Sequence, residues 1–184
     1  MTDPLLSRRR LLDAFGLLGD ELRRRGVVGE VHIVGGAVMV LEHDARDGTH
    51  DVDCGEIEPH GEVMRASFAV AAALGLPQSW LNQQASAYVP REAPWQQSAI
   101  FDHPNLRLYA MAPGALLAMK VRAGRASDVD DLCFLIELIA LSDRDAVLAL
   151  VESVFPGEPI GARQLDALDD ALDALRARRV PTTT

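Results

Sequence analysis

The sequence predicts an α+β fold. Strands and helices alternate through the first 110 residues, and the remainder reads as helix throughout. With 184 residues and 48% hydrophobic content, there is enough apolar side chain for a real core, and a disordered tail or disulfide scaffold is excluded. Two parts are expected: 1–110 as an α/β core and 111–184 as a helical part.

Residues 5–25 carry Leu5, Leu12, Phe15, Leu18 and Leu22 at helical spacing, which predicts an amphipathic helix. Val27-Val28 and Val31–Val34 read as a buried strand ended by Gly35-Gly36, and 37–43 resume a helical pattern. Thr49–Ile57 alternates, with Val52, Cys54 and Ile57 apolar, so it reads as a second strand. Residues 61–74 are Ala-rich and helical and stop at Gly75. Residues 78–98 hold both tryptophans and five glutamines without a period, so this segment is expected to be mostly loop. Ile100-Phe101 and Leu106–Tyr109 read as short strands about the turn 102–105. Pro113 suits the first position of a helix reaching about Val121. Further helices are expected over 128–141, 143–154 and 160–179, the last with Leu165, Leu168, Leu172 and Leu175 on one face.

The net charge of −9 argues against a wholesale polyanion-binding surface. It is uneven: residues 126–184 carry 12 acids against 5 bases, whereas residues 1–30 carry 6 arginines against 5 acids. A local basic groove must therefore be built from few residues, with Arg8–Arg10, Arg23–Arg25, Arg91, Arg107, Lys120, Arg122 and Arg125 as candidates. Cys54 and Cys133 lack zinc-ligand spacing, and Cys133 is expected in the core. Asp13 and Asp20 interrupt any signal-like apolar run, and no apolar run reaches the ~20 residues of a membrane span. A cytoplasmic location and no membrane association are expected.

The chemistry concentrates in Gly35-Gly36, Arg46, Thr49, Asp51 and Asp53. Two glycines at a strand end let the backbone turn sharply and approach a ligand, and a following helix presents free N–H groups to an anion. Asp51 and Asp53, two apart in a strand, project from the same face. Neighbouring carboxylates repel unless a cation lies between them, and Mg²⁺, which bridges carboxylates to phosphates, is the natural occupant. A phosphate cradle beside Asp-x-Asp is the minimal kit for metal-assisted phosphoryl or nucleotidyl transfer. The bland alternative is a glycine turn beside a solvated strand face.

Of 18 basic residues, 17 are arginine and Lys120 alone is lysine. A compact ammonium suits a point contact to phosphate, where Arg imposes a planar fork. Its neighbours Ala118, Met119 and Val121 are apolar. Asp128 and Asp131, three apart, share a helix face; Asp128 fits either a third catalytic carboxylate or an N-cap. Arg122 and Arg125 are candidate phosphate contacts or partners of Asp128 and Asp131. Among the five histidines only His50 is expected to line the site.

The string GGAVMVLEHDARDGTHDVD resembles the first motif of minimal nucleotidyltransferases of the DNA polymerase β-like superfamily. In these, Gly-Gly or Gly-Ser precedes a short helix, then Arg-x-(Ser/Thr), then Asp-x-Asp. The string LLAMKVRAGRASDVDDL resembles the abortive-infection and toxin–antitoxin members, the AbiEii/MenT-like group. Two departures are Ala37 and Val38, where many members carry Ser or Thr, and His50 between Thr49 and Asp51.

The resemblance implies a nucleotidyltransferase-like mixed sheet with flanking helices. It further implies Asp51 and Asp53 as Mg²⁺ ligands, Gly35 and Gly36 against the NTP phosphates, and Lys120 reaching a phosphate. Arg46 is left to neutralise triphosphate charge, brace the loop, or pair with Asp44 or Asp47. Either Asp128 or Asp131 would be the third carboxylate. The implied activity transfers an NMP from an NTP to a hydroxyl, with RNA, notably a tRNA 3′ end, as expected acceptor and an antitoxin as expected partner. A silent nucleotide- or partner-binding module of the same fold and a small-molecule nucleotidyltransferase are the alternatives.

Overall fold

The structure, a computed structural model, describes residues 5–141 and 143–179. The chain divides into two compact units, Met1–Val89 with Pro94–Met111, and Pro90–Ala93 with Ala112–Thr184.

The first unit is α+β. Helix α1 spans Arg8–Arg24, with the Ser7 hydroxyl accepting from the Arg10 backbone N–H at 3.4 Å. Its buried face is Leu11, Phe15, Leu18 and Leu22, not the expected stripe through Leu5 and Leu12. The reason lies just before the helix. Leu6 is drawn into an antiparallel bridge with Thr49, so the helix starts at Arg8, Leu5 stays exposed and the apolar face turns onto Leu11.

Strand β1 (Gly29–Val34) leads into the short helix α2 (Gly36–Leu41), and β2 (Val52–Glu58) returns antiparallel to β1. The register shifts between His32 and Ile33, which face Glu56 and Cys54 and so skip Gly55. This β-bulge explains why Val52, Cys54 and Ile57 are all buried although their spacing changes from two to three. Helix α3 spans His60–Leu74.

Residues 78–98, expected to be mostly loop, also carry a strand. Leu81–Asn82 forms β3, parallel to β2, between two short 3₁₀ turns. A two-residue strand is too short to impose a readable period. It is fixed by tertiary packing: Trp80 is fully buried, donates its indole N–H to the Ser67 carbonyl at 3.0 Å, and packs against the Phe15 ring in a tilted arrangement with centroids 5.7 Å apart. Strands β4 (Phe101–His103) and β5 (Leu106–Ala110) are antiparallel, and β5 runs parallel to β1. The result is a mixed five-stranded sheet of order β3-β2-β1-β5-β4, whose inner residues Val31, Ile33, Val52, Cys54, Leu106 and Leu108 are buried.

The second unit is helical: α4 (Pro113–Ala123), α5 (Val129–Leu138), α6 (Arg144–Val154) and α7 (Ala162–Arg179). Pro113 opens α4. Helix α7 buries Leu168, Leu172 and Leu175 with Ala167 and Ala171, while Leu165 is only half-buried. Cys133 is in this core, its thiol 3.3 Å from the Ala171 carbonyl. Among the described residues no helix is long and apolar enough to cross a membrane.

Candidate functional site

In the first unit, β1 delivers the chain to Gly35, whose φ of 69° and ψ of −143° lie in a region that L side chains rarely adopt. The two glycines are also where three side chains close on the backbone. A Cβ on Gly35 would lie 3.4 Å from Asp53 Oδ2; one on Gly36 would lie 2.7 Å from Thr49 Oγ1 and 3.7 Å from Arg46 Nη1. The turn therefore brings Gly35, Gly36, Arg46, Thr49 and Asp53 together, as five of the residues singled out by their spacing. Thr49 is buried, and its hydroxyl donates to the Asp51 carbonyl at 3.1 Å. His50, by contrast, is exposed.

The strand starts at Val52, later than the expected Thr49, so Asp51 stands just before β2 and Asp53 is its second residue, on either side of buried Val52. Asp53 pairs with Val34 across one edge of β2 and with Asn82 across the other. Asn82 is the residue that sequence reasoning missed. It is buried, its amide Nδ2 donates to Asp51 Oδ2 at 3.1 Å and to the Ser79 carbonyl at 3.2 Å, and its Oδ1 accepts from the Gln84 backbone N–H at 2.9 Å. With both ends of the amide engaged, Asn82 fixes one oxygen of Asp51. No sequence signal marks it, because β3 has no readable pattern.

By its chemistry the donor set suits a hard divalent cation: two carboxylates two residues apart, one of them oriented by an amide. Among the described residues no group of three or more His, Cys, Asp or Glu is placed to hold a metal. A two-carboxylate site matches Mg²⁺, which takes one or two protein carboxylates and completes its shell with water and substrate phosphates.

Lys120, Asp128 and Asp131 form a different cluster, inside the helical unit. Lys120, in the last turn of α4, places Nζ 3.1 Å from Asp128 Oδ1 and 2.5 Å from Asp131 Oδ2. The three side chains are 8%, 9% and 2% exposed. Asp128 occupies the N-cap position of α5 but makes no side-chain capping bond; its carboxylate serves Lys120 instead. The lone lysine is thus neither a solvated residue on a helix face nor an open cation. Arg122 lies over the Phe155 ring at 4.3 Å and pairs with Glu158, so it partners neither aspartate. Arg125 is exposed at the start of a 3₁₀ turn.

Comparison with family models, with curated proteins and with solved structures finds no match to this chain. The chemistry open to it therefore rests on its own geometry: two carboxylates beside a glycine turn, with an arginine and a threonine at its edge.

Proposed function

We propose that the protein is a Mg²⁺-dependent nucleotidyltransferase that moves an NMP from an NTP to a hydroxyl acceptor, RNA in the first instance. One observation carries the reading: Gly35 and Gly36 form a turn with no side chain of its own, closed on by Asp53, Thr49 and Arg46, with Asp51 held beside it by Asn82.

On this reading each residue has a physical task. Gly35 and Gly36 let polyphosphate approach the backbone, which matters more than the dipole of α2, only six residues long. The Arg46 guanidinium beside Gly36 supplies positive charge to the phosphates. Asp51 and Asp53 would hold Mg²⁺, which when bound neutralises charge on the transferring phosphoryl group. Asn82 and the Thr49 hydroxyl hold the Asp51 segment in place, so that little reorganisation is needed when substrate arrives. Lys120, Asp128 and Asp131 enter as a buried charged tie in the helical unit. The resemblance also gives Lys120 a phosphate contact and the protein an antitoxin partner; both belong to the proposal.

The test is incubation of purified protein with Mg²⁺, labelled NTPs and total RNA. Label on RNA that disappears in Asp53→Ala supports the reading. Transfer that survives Asp53→Ala refutes the site, and no label on RNA, protein or small molecules leaves a binding module of the same fold.

A further inference from the structure

Nine arginines lie in the first unit, and the structure sorts them. Arg23 pairs with Asp20 at 2.8 Å, Arg24 and Arg25 share Glu21, Arg65 pairs with Glu62, and Arg107 faces Asp102 at 3.8 Å. Arg46 lies in the glycine cluster. Arg8, Arg9 and Arg10 remain. All three are exposed, and among the described residues none has an ion pair or a guanidinium hydrogen bond.

Their position runs against local stability. They fill the first turn of α1, which contains no acidic residue, and cations at a helix N-terminus oppose the helix dipole. Local choices that conflict with stability concentrate where function demands them. The second observation is where this turn is anchored. Leu6 donates to the Thr49 carbonyl at 2.7 Å and accepts from the Thr49 N–H at 3.1 Å, and Thr49 is the residue against Gly36. Arg8 is two residues from Leu6, and Asp51 two from Thr49. The chain path from the Arg8 Cα to the Asp51 Cα is thus at most about 20 Å.

We propose that Arg8, Arg9 and Arg10 form a track for the phosphate backbone of an RNA acceptor, leading away from the Asp51/Asp53 site. This rests on the nucleotidyl-transfer reading for its choice of acceptor. Guanidinium forks match phosphate oxygens, and three arginines that fan about 100° apart around the first turn of α1 offer separate contacts to the phosphates of one flexible strand. A membrane surface fits less well, because it needs an apolar helix face turned outward, whereas Leu11, Phe15, Leu18 and Leu22 of α1 are all buried.

The experiment measures fluorescence anisotropy of an end-labelled single-stranded RNA with the full chain over a salt series, without NTP. Two triple variants are compared: Arg8→Gln/Arg9→Gln/Arg10→Gln, and Arg23→Gln/Arg24→Gln/Arg25→Gln as the control with neutralised arginines. The first should bind RNA at least about tenfold more weakly at low salt, with its log K against log salt slope reduced by about 2, as for three lost phosphate contacts. It should also melt no lower than wild type, since the removed charges oppose the dipole. The control should bind within about twofold of wild type. The track is refuted by RNA binding that the first variant retains, by equal loss in both variants, or by wild type that binds no RNA. It is equally refuted if the arginines prove to serve phosphatidylserine vesicles and not RNA. The two readings fail separately. RNA labelling that persists in the first variant removes the track and keeps the enzyme; Arg8–Arg10-dependent RNA binding without any labelling keeps the track and removes the enzyme.

Discussion

The Asn82 amide donates to Asp51 Oδ2 at 3.1 Å, tying β3 to the residue just ahead of β2. The partner oxygen is a carboxylate's, and a hydrogen bond to a charged group is worth about 1.5–3 kcal/mol. Asn82→Ala should therefore lower kcat/KM for nucleotidyl transfer roughly tenfold or more while leaving the sheet formed. Apparent Mg²⁺–nucleotide affinity, followed by calorimetry with a non-hydrolysable NTP, should fall in parallel. Wild-type values for both quantities in Asn82→Ala would show that Asp51 needs no orienting partner.

The site and the fold were legible to different degrees for physical reasons. Gly35, Gly36, Arg46, Thr49, Asp51 and Asp53 lie within 19 residues, so strand alternation and one turn suffice to bring them together. Asn82 reaches the same place through a parallel pairing between β2 and β3, which no local pattern encodes. Strand β2 was readable because its inward residues are apolar, although the bulge at Gly55 broke the alternation. In the helical unit Lys120 and Asp128 stood out by type, yet their mutual pairing did not. Burial is what makes the ammonium choose two carboxylates, and burial of a lone charged residue cannot be read from its flanks.

Gly36→Ala tests the close approach directly. Its Cβ would fall 2.7 Å from Thr49 Oγ1 and 3.4 Å from Thr49 Cβ, and overpacking of this kind costs about 1–3 kcal/mol. Thr49→Ala removes the offending oxygen, so the double variant should recover part of the loss. A double-mutant cycle by urea denaturation should give a coupling energy of at least about 0.5 kcal/mol. Strict additivity would mean that a Cβ on Gly36 does not meet Thr49.

Acid stability should depend on His43. Burial holds its imidazole below the ordinary histidine pKa, against the opposing pull of Glu42. As pH falls through about 6.5 the unfolded chain takes up this proton first, so stability declines there until the lower folded-state value is reached. His43→Gln should flatten the unfolding free energy between about pH 7 and 5. Glu21 acts in a separate window. The side-chain hydrogen bonds of Arg24 and Arg25 hold its carboxyl below the ordinary value, and that contribution is lost only as pH falls through the carboxylate range. Urea titrations of wild type and variant across this range decide the matter; parallel curves would assign the slope to other groups.

Lys120 poses the sharpest question, because its burial and its resemblance to a phosphate-directed lysine make different demands. Lys120→Met would leave Asp128 and Asp131 buried without their ammonium, and breaking such a pair costs about 3–5 kcal/mol. Removing the charges as a set, in Lys120→Met/Asp128→Leu/Asp131→Leu, should regain most of that stability, since apolar replacement of a whole buried ion cluster is often neutral. Lys120→Arg keeps the charge but puts a larger planar fork where a compact ammonium met two carboxylates, so it too should melt earlier. Stability alone cannot distinguish a tie from a phosphate contact. Label transfer per folded molecule can, if it is measured well below the melting temperature of Lys120→Arg. A lysine that meets phosphate predicts transfer at least about tenfold lower in that folded fraction, and this is the outcome the proposal requires. A lysine confined to the tie predicts a less stable protein whose folded molecules transfer at the wild-type rate.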